Sequence, residues 1–489
     1  MSCESKTLDW ANPAEALILG LGASGRASAE LLAARGWRVK GADTRTDAAL
    51  AEALRMAAPG AQASLGGFPL ELLDGVSGVV LSPGLSPYFG PAAPLVRAAE
   101  ARGLPVVGEI ELFALELKRL EACTGYRPKV IGVTGTNGKT TTTALAAKMA
   151  AASGASAAAA GNIGPNASLE LLKAERGGTL PDVWVLELSS FQLDRAPSLE
   201  LDSAALLNVT EDHIDWHGSL EAYAAAKRRI FRKAAVRVLN RDDAWSRMSA
   251  AGADRVETFG AEPPAKPGDW GLMPAADGPT LSRMRADGSI ERLVAERDLL
   301  IRGRHNSMNA LAALALVVSA GLPLEAALEA LRVYGGEPHR VAWAGSIDGV
   351  DFIDDSKGTN VGAVAAAVQG FAAQGRPLLI ILGGDGKGQD FAPLARALKG
   401  AARAAAVIGK DAEPIREALR DCGFPIERCA TLESAVDWLW AKRRKGDVML
   451  LSPACASWDM FRNYAERSER FVAKVRTLKA DAPREGYES

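Results

Sequence analysis

Residues 133–143 read VTGTNGKTTTT, and how this stretch is understood decides the fold. The widespread phosphate-loop pattern is G-x-x-x-x-G-K-[ST]. Counted back from Gly138-Lys139-Thr140, its first glycine belongs at 133, where this chain has Val133. The nearest glycines are instead Gly132 and Gly135. Around the loop, KVIGV (129–133) reads as a buried strand and TTTALAAKMAAASG (140–154) as a helix. A strand, a glycine loop and a helix N-terminus can cradle phosphate through backbone N–H groups and the helix dipole. Lys139 then reaches the transferred phosphoryl group, and the Thr140 hydroxyl can ligate Mg²⁺. A glycine-rich turn with an exposed lysine is the plainer alternative.

Upstream, ALILGLG (16–22) and WRVKGAD (37–43) read as strands on either side of the helix SGRASAELLAARG (24–36), and VSGVVLSPG (76–84) is a further strand. GLGASG (20–25) fits G-x-G-x-x-G, with Asp43 at the end of the next strand. That context suits a nucleotide diphosphate, with the carboxylate toward ribose or base. It does not separate a nicotinamide dinucleotide from another diphosphonucleotide, and tight strand–helix packing without ligand stays open beside both. TGYRP (124–128) reads as a linker.

Downstream, VWVLELSS (183–190) and SAALLNV (203–209) are strands, residues 260–301 turn to short strands and turns, and SMNALAALALVVSAGL (307–322) is a helix. A third unit carries strands at VDFIDDS (350–356), PLLIILGG (377–384), AAAVIG (404–409) and DVMLLSP (447–453). Strand–helix alternation of this kind argues for parallel sheets with helical crossovers. The alanine-rich runs are helix-forming in composition. Three polar clusters, Asp355-Ser356-Lys357, GGDGK (383–387) and SPACASWDMFRNY (452–464), follow strands and look like one rim of a site. Glu187 at a strand end and His213 in VTEDHIDWHG are metal candidates, because Mg²⁺ needs only one or two protein ligands beside phosphates and water. By pattern alone Lys227 is an ordinary solvated helix lysine beside Arg228 and Arg229.

The totals exclude several classes. With 489 residues, several domains are expected. A net charge of −2 offers no general attraction to nucleic acid or anionic lipid. Five scattered cysteines without metal spacing suggest reduced thiols and a cytoplasmic location. No signal peptide and no membrane-spanning stretch is read in the chain.

Taken together, GTNGKT (135–140), GNIG (161–164), LELSSFQL (186–193), NVTEDHIDWHG (208–218), GRHNSMNALAA (303–313) and PHR (338–340) resemble the Mur ligase family. Its loop carries glycines at the places of Gly135 and Gly138, which accounts for the unusual spacing. DDSKGTN (354–360), GGDGKGQDF (383–391) and SPACASWDMFRNY are similar to the D-glutamate-adding branch. The resemblance implies an α/β protein of three domains: an N-terminal Rossmann-like domain (1–126) that binds a UDP precursor, a central P-loop-type ATPase domain with a mainly parallel sheet and a small β portion (127–333), and a C-terminal Rossmann-like domain on the D-glutamate and ATP side (334–489).

It further implies ATP-dependent amide formation between UDP-N-acetylmuramoyl-L-alanine and D-glutamate, with two Mg²⁺ (or Mn²⁺) ions, in a monomer. ATP would be held by Gly135, Thr136, Asn137, Gly138, Lys139, Thr140 and Thr141, with Asn306, Asn309, Arg340 and Asp355. Thr140 and Glu187 would ligate the first metal; His213 and a carbamylated Lys227 the second. Ser24, Asp43, Thr44, Arg45, Ser82, Pro83, Gly84, Asn162 and Ser189 would hold the precursor, and Lys357, Thr359, Lys387, Ser457 and Tyr464 the D-glutamate. Lys139, His213, Lys227 and Lys387 are the implied catalytic set. Trp216, Gly358 and Ser468 depart from the pattern, which has Arg, Ala and Gly at those places.

Overall fold

Each of the three strand–helix series closes on its own sheet. The computed structural model describes residues 7–162, 164–301, 303–336, 339–372, 375–386 and 389–481. Lys387 therefore lies outside the described residues. By contact density the chain divides into two units. The first comprises the residues up to Val209, His213–Leu299 and Met308–Val333; the second comprises Thr210–Asp212, Leu300–Ser307 and the residues from Tyr334 onward.

The first unit holds two sheets. Strands β1 (Glu15–Leu19), β2 (Arg38–Asp43), β3 (Gln62–Leu65), β4 (Gly78–Leu81) and β5 (Val106–Val107) form a parallel sheet in the order β3-β2-β1-β4-β5. The order reverses direction between β1 and β4, where ligands collect beyond the carboxyl ends of strands. The second sheet contains β6 (Lys129–Thr134), β7 (Ala157–Gly161), β8 (Val183–Glu187), β9 (Ser203–Leu206), β10 (Arg237–Asn240), β11 (Val256–Phe259), β12 (Asp269–Met273), β13 (Thr280–Met284) and β14 (Ile290–Ala295). Its order is β14-β13-β12-β11-β10-β9-β6-β8-β7, parallel from β7 to β12 and antiparallel through β12–β14.

The run Ala157–Ala160 has helix-forming composition, yet it is a strand, paired along its length with β8 from Ala157↔Val183 to Gly161↔Glu187. Pairing with a fully buried neighbour outweighs alanine's intrinsic helix preference, which is under about 1 kcal/mol per residue.

A buried ion cluster joins the two sheets' helices. Glu116, fully buried, accepts from Arg35 (Nη2 2.6 Å) and Arg119 (Nη2 2.7 Å). Both arginines also pair with Glu175, from the helix Ala167–Arg176.

The second unit has one sheet. Strands β15 (Ala342–Ile347), β16 (Val350–Asp354), β17 (Leu378–Gly383), β18 (Ala402–Ile408), β19 (Ile426–Arg428) and β20 (Val448–Leu451) take the order β15-β16-β20-β17-β18-β19, parallel except for β15 against β16. Since β16, β20 and β17 are neighbours, the three polar clusters that follow them emerge side by side at one sheet edge. Among the described residues no helix is long and apolar enough to cross a membrane.

Candidate active site

In the first unit the site grows from the carboxyl ends of β6, β8 and β9. Gly138 takes a left-handed conformation (φ 83°) and starts the helix Lys139–Ala152. A Cβ on Gly138 would collide with the Asn309 amide oxygen, so Asn309 lies directly over the loop. The loop is clamped from β9's end by Asn208. Thr136 N donates to the Asn208 carbonyl (2.9 Å), Asn137 N donates to Asn208 Oδ1 (2.8 Å), and Asn208 Nδ2 returns to the Asn137 carbonyl (3.1 Å). Asn208 was not singled out by sequence; its place in NVTEDH was the available signal.

Two lysines meet on this loop. Lys139 Nζ donates to the carbonyls of Gly135 and Thr136, both at 2.7 Å. Lys227 Nζ donates to the same Gly135 carbonyl at 2.8 Å and lies 4.5 Å from the Tyr223 ring centroid. The solvated reading of Lys227 is overturned, because the residue is 1% exposed. The helix Leu220–Arg228 turns that face inward, and Tyr223 beside it is equally buried.

Glu187 ends β8 at 2% exposure. Asn162 Nδ2 donates to its Oε1 (2.7 Å), while its Oε2 is buried with no hydrogen-bond partner. A buried carboxylate oxygen without a donor is costly unless a cation meets it. With Thr140 in the adjacent helix turn, this donor set suits a hard ion. No group of three or more His, Cys, Asp or Glu side chains that could hold a metal ion is found among the described residues. His213 (φ 54°) caps a short helix and turns its ring edge to Phe191, centroids 4.7 Å apart. Trp216 packs on Phe191 and, edge-on, on Tyr88, with Nε1 buried and unpartnered. His217 donates to or accepts from Ser190 Oγ (2.9 Å); burial, then the Lys227 charge, hold its imidazole down at about 4. Ser189 has a structural task, capping the helix Ser190–Asp194 by accepting from Gln192 N.

The precursor candidates cluster at the switch point. Ser82 Oγ donates to the Gly20 carbonyl (2.7 Å), joining the loops after β4 and β1, and Pro83 and Gly84 follow it. Asp43 is turned inward: it accepts from Leu21 N (2.8 Å) and from Arg45 Nε and Nη2 (2.9 and 2.7 Å). The Arg45 guanidinium holds that carboxyl well below the usual range. Thr44 lies between the two. Ser24 Oγ accepts from Asn166 Nδ2 (3.2 Å), linking this turn to the second sheet's connections.

In the second unit, the D-glutamate candidates fall partly into one group. Lys357 Nζ lies 5.4 Å from the Tyr464 ring centroid, and the His339 ring meets Tyr464 edge-on at 5.9 Å. Lys357 N donates to the His339 carbonyl (3.1 Å), and Thr359 N to the Lys357 carbonyl (3.0 Å). Ser457 is buried in the neighbouring loop. Arg467, which sequence reasoning left without a role, ties the two loops together. Fully buried, it donates to the carbonyls of Ser356 (2.8 Å) and Cys455 (3.2 Å). Ser468 Oγ donates to Asp354 Oδ2 (2.5 Å) and lies 2.7 Å from His339 Nδ1, contacts that the glycine of the resembled pattern could not make. Asn306 opens the helix Arg304–Ser319.

Asp355 is 4% exposed. Burial pushes its carboxyl up to about 7, against a 2.6 Å hydrogen bond from Ser452 Oγ and the charge of Arg340. The folded chain thus keeps a proton that the unfolded chain releases above about pH 4. That contribution to stability is complete below about pH 4 and is lost as pH rises through about 7, at most about 4 kcal/mol. We expect the ligand-free melting temperature to fall across this window and Asp355→Asn to flatten the fall. An unchanged slope in the variant would place the titration elsewhere. Gly358 has no room for a side chain, since a Cβ would collide with Asp355 Oδ2 and crowd Ser452 Oγ. Gly358→Ala therefore costs about 1–3 kcal/mol through the Ser452–Asp355 bond. Denaturant unfolding checks this, and equal stability would show that Asp355 swings aside freely.

Comparison with known proteins follows the same divisions. The Mur ligase MurD-like N-terminal domain matches residues 14–108, the Mur ligase middle domain 133–317, and the Mur ligase glutamate ligase domain 339–455. A protein of Ralstonia nicotianae called UDP-N-acetylmuramoylalanine–D-glutamate ligase is 48% identical over 95% of this chain and 97% of its own. One of the same name from Burkholderia thailandensis is 50% identical over 94% and 96%. Among solved structures, the MurF ligase of Thermotoga maritima in complex with ADP aligns with a TM-score of 0.59 at 18% identity, over 82% of this chain and 96% of that one. The UDP-N-acetylmuramate-alanine ligase of the same organism gives 0.56 at 21%, over 95% and 100%. These two structures share the fold.

Proposed function

The chain belongs to the Mur ligase family, among the UDP-N-acetylmuramoylalanine–D-glutamate ligases, and from that premise we propose that it joins D-glutamate to UDP-N-acetylmuramoyl-L-alanine at the expense of ATP, in building the peptidoglycan precursor. The observation that carries this reading is the meeting of Lys139 and Lys227 on the Gly135 carbonyl. An ammonium at a helix N-terminus suits a polyphosphate, and the Lys227 amine on the same carbonyl lies where a ligand to a metal beside those phosphates is needed.

We assign the roles as follows. The amides of Gly135–Thr141 and the Lys139 ammonium hold the ATP phosphates, with Asn309 packed against the loop, and Asn306, Arg340 and Asp355 are assigned to the nucleotide by the family resemblance. Thr140 and Glu187 would hold one Mg²⁺, and His213 and Lys227 a second. Mg²⁺, when bound, offsets the repulsion between the precursor carboxylate and the polyphosphate. Lys227 takes on its ligand role by adding its neutral amine to CO₂ and losing a proton, which turns a buried cation into a carbamate. The precursor's nucleotide lies along Ser24, Asp43, Thr44, Arg45 and Ser82–Gly84, and its reactive end along Asn162 and Ser189.

Its carboxylate attacks the γ-phosphorus, ADP leaves, and an acyl phosphate forms, with Lys139 stabilising charge on the transferred group. The neutral D-glutamate amine then attacks the acyl carbon, phosphate departs with the C–O electron pair, and the nitrogen gives up its extra proton to solvent or to the departing phosphate. Lys357, Thr359, Lys387, Ser457 and Tyr464 orient the amino acid. Its two carboxylates need cationic partners once out of water, and Arg467 keeps the Lys357 and Ser457 loops in register.

Phosphate release from ATP with UDP-N-acetylmuramoyl-L-alanine, compared for D-glutamate, L-glutamate, D-alanine, L-lysine and no amino acid, tests the proposal. Release with D-glutamate alone and a product heavier by one glutamyl residue is the expected result. Release with another amino acid would overturn the acceptor, and none with any would overturn the reaction.

A further inference from the structure

A cavity of about 500 Å³ in the first unit lies outside every residue set assigned above. It opens beside Val106 of β5 and the helix Ala93–Ala101 on one side, and beside the chain that follows the helix Ser190–Asp194 on the other. Four guanidiniums line it, those of Arg97, Arg195, Arg229 and Arg232, against two carboxylates, Asp194 and Glu100.

Both carboxylates are already committed. Asp194 accepts from Tyr88 OH (2.9 Å to Oδ1), and it pairs with Arg195 Nε (3.1 Å) and with Arg229. Glu100 pairs with Arg195 Nη1 (2.7 Å). Arg97 and Arg232 have no carboxylate partner among the described residues. Both residues are exposed, so their guanidiniums are open to an incoming ligand. An anion between these arginines would supply the partner they lack, and guanidinium is the group best matched to phosphate oxygens. The rim adds a second feature: Tyr88 and Phe89 also line the cavity and stay 43% and 50% exposed. Partly exposed aromatic rings next to guanidiniums without carboxylate partners, around a cavity of small-ligand size, favour a flat ring that carries the anion.

We propose that this cavity binds a small aromatic phosphomonoester, its dianion on Arg97 and Arg232 and its ring on Tyr88 and Phe89. The test is calorimetric titration of the full chain with phenyl phosphate, with inorganic phosphate and benzyl alcohol as single-feature probes. It is run on wild type, on the double variant Arg97→Ala/Arg232→Ala, and on Lys139→Ala, which disables the phosphate loop.

Phenyl phosphate is expected to bind wild type and Lys139→Ala alike, and the double variant roughly tenfold or more weakly. The double variant is expected to melt at the wild-type temperature, because neither arginine holds an ion pair. Arg97→Lys/Arg232→Lys is expected to recover part of the affinity. Equal affinity in wild type and the double variant would overturn the site, as would binding lost in Lys139→Ala or absent from wild type. Inorganic phosphate binding as tightly as phenyl phosphate would overturn the aromatic half of the proposal.

Discussion

Lys227→Ala lowers ATP-dependent phosphate release by about 10²–10³-fold or more, the scale seen when a preorganised electrostatic group is removed from an active site. The loss follows from position. Lys227 is 1% exposed, its amine is 2.8 Å from the Gly135 carbonyl, and Tyr223 packs beneath it. Alanine removes the donor and leaves a void between the loop and that ring. A plain cation and a carbamate make different forecasts. If Lys227 acts as a carbamate, stripping dissolved CO₂ lowers wild-type turnover and bicarbonate restores it, while Lys227→Arg stays inactive with ATP binding intact. Turnover indifferent to CO₂, together with an active arginine variant, would show that only the positive charge matters.

Glu187→Gln has two effects of opposite sign. Its Oε1 keeps the bond from Asn162, while Oε2 is buried without a donor. An amide at this place carries no net charge to desolvate, so the metal-free variant gains about 1–3 kcal/mol and melts a few degrees higher. The same change removes the carboxylate proposed for the first Mg²⁺, and turnover drops by about 10²–10³-fold or more. Thermal melts with and without Mg²⁺ separate the two effects. Wild type rises in melting temperature with the ion, as any ligand-bound fold does, and Glu187→Gln does not. A metal-free variant less stable than wild type would contradict the view that this carboxylate is kept uncompensated for a cation.

Glu187 and Lys227 also show what the sequence disclosed and what it withheld. The phosphate loop was readable because everything that makes it is local: a strand, two glycines and a helix start within a dozen residues. Glu187 was readable for a similar reason, as an acid at the end of an apolar strand. Lys227 was not, because its burial depends on which face its helix presents to a sheet, and three adjacent basic residues give no periodicity to read. Ala157–Gly161 was not legible, because alanine fits either regular structure and pairing with β8 decides. Asn208 and Arg467 act through backbone carbonyls and amides of distant loops, and no spacing rule points to such partners. The resemblance to a family supplied Lys227 where physical reading of the chain could not.

The Arg35–Glu116–Arg119–Glu175 cluster bears on how this chain can be recombined with its relatives. Glu116 has no access to water and depends on Arg119, one turn along its own helix, and on Arg35, at the end of the helix Ala23–Ala34, both of which also pair with Glu175 of the helix Ala167–Arg176. A chimera that kept the first 125 or so residues of this chain and took the rest from a relative without an acid at 175 would leave Arg35 and Arg119 with Glu116 as their one shared partner in this cluster. Arg35, Arg119 and Glu175 keep 17–27% exposure, so losing the pairs costs between the roughly 1 kcal/mol of an exposed pair and the roughly 3–5 kcal/mol of a buried one, a sizeable part of the margin by which a protein stays folded. Nucleotide recognition and ATP chemistry are in this respect inherited as one piece, and a graft of either would have to carry its share of the four side chains with it.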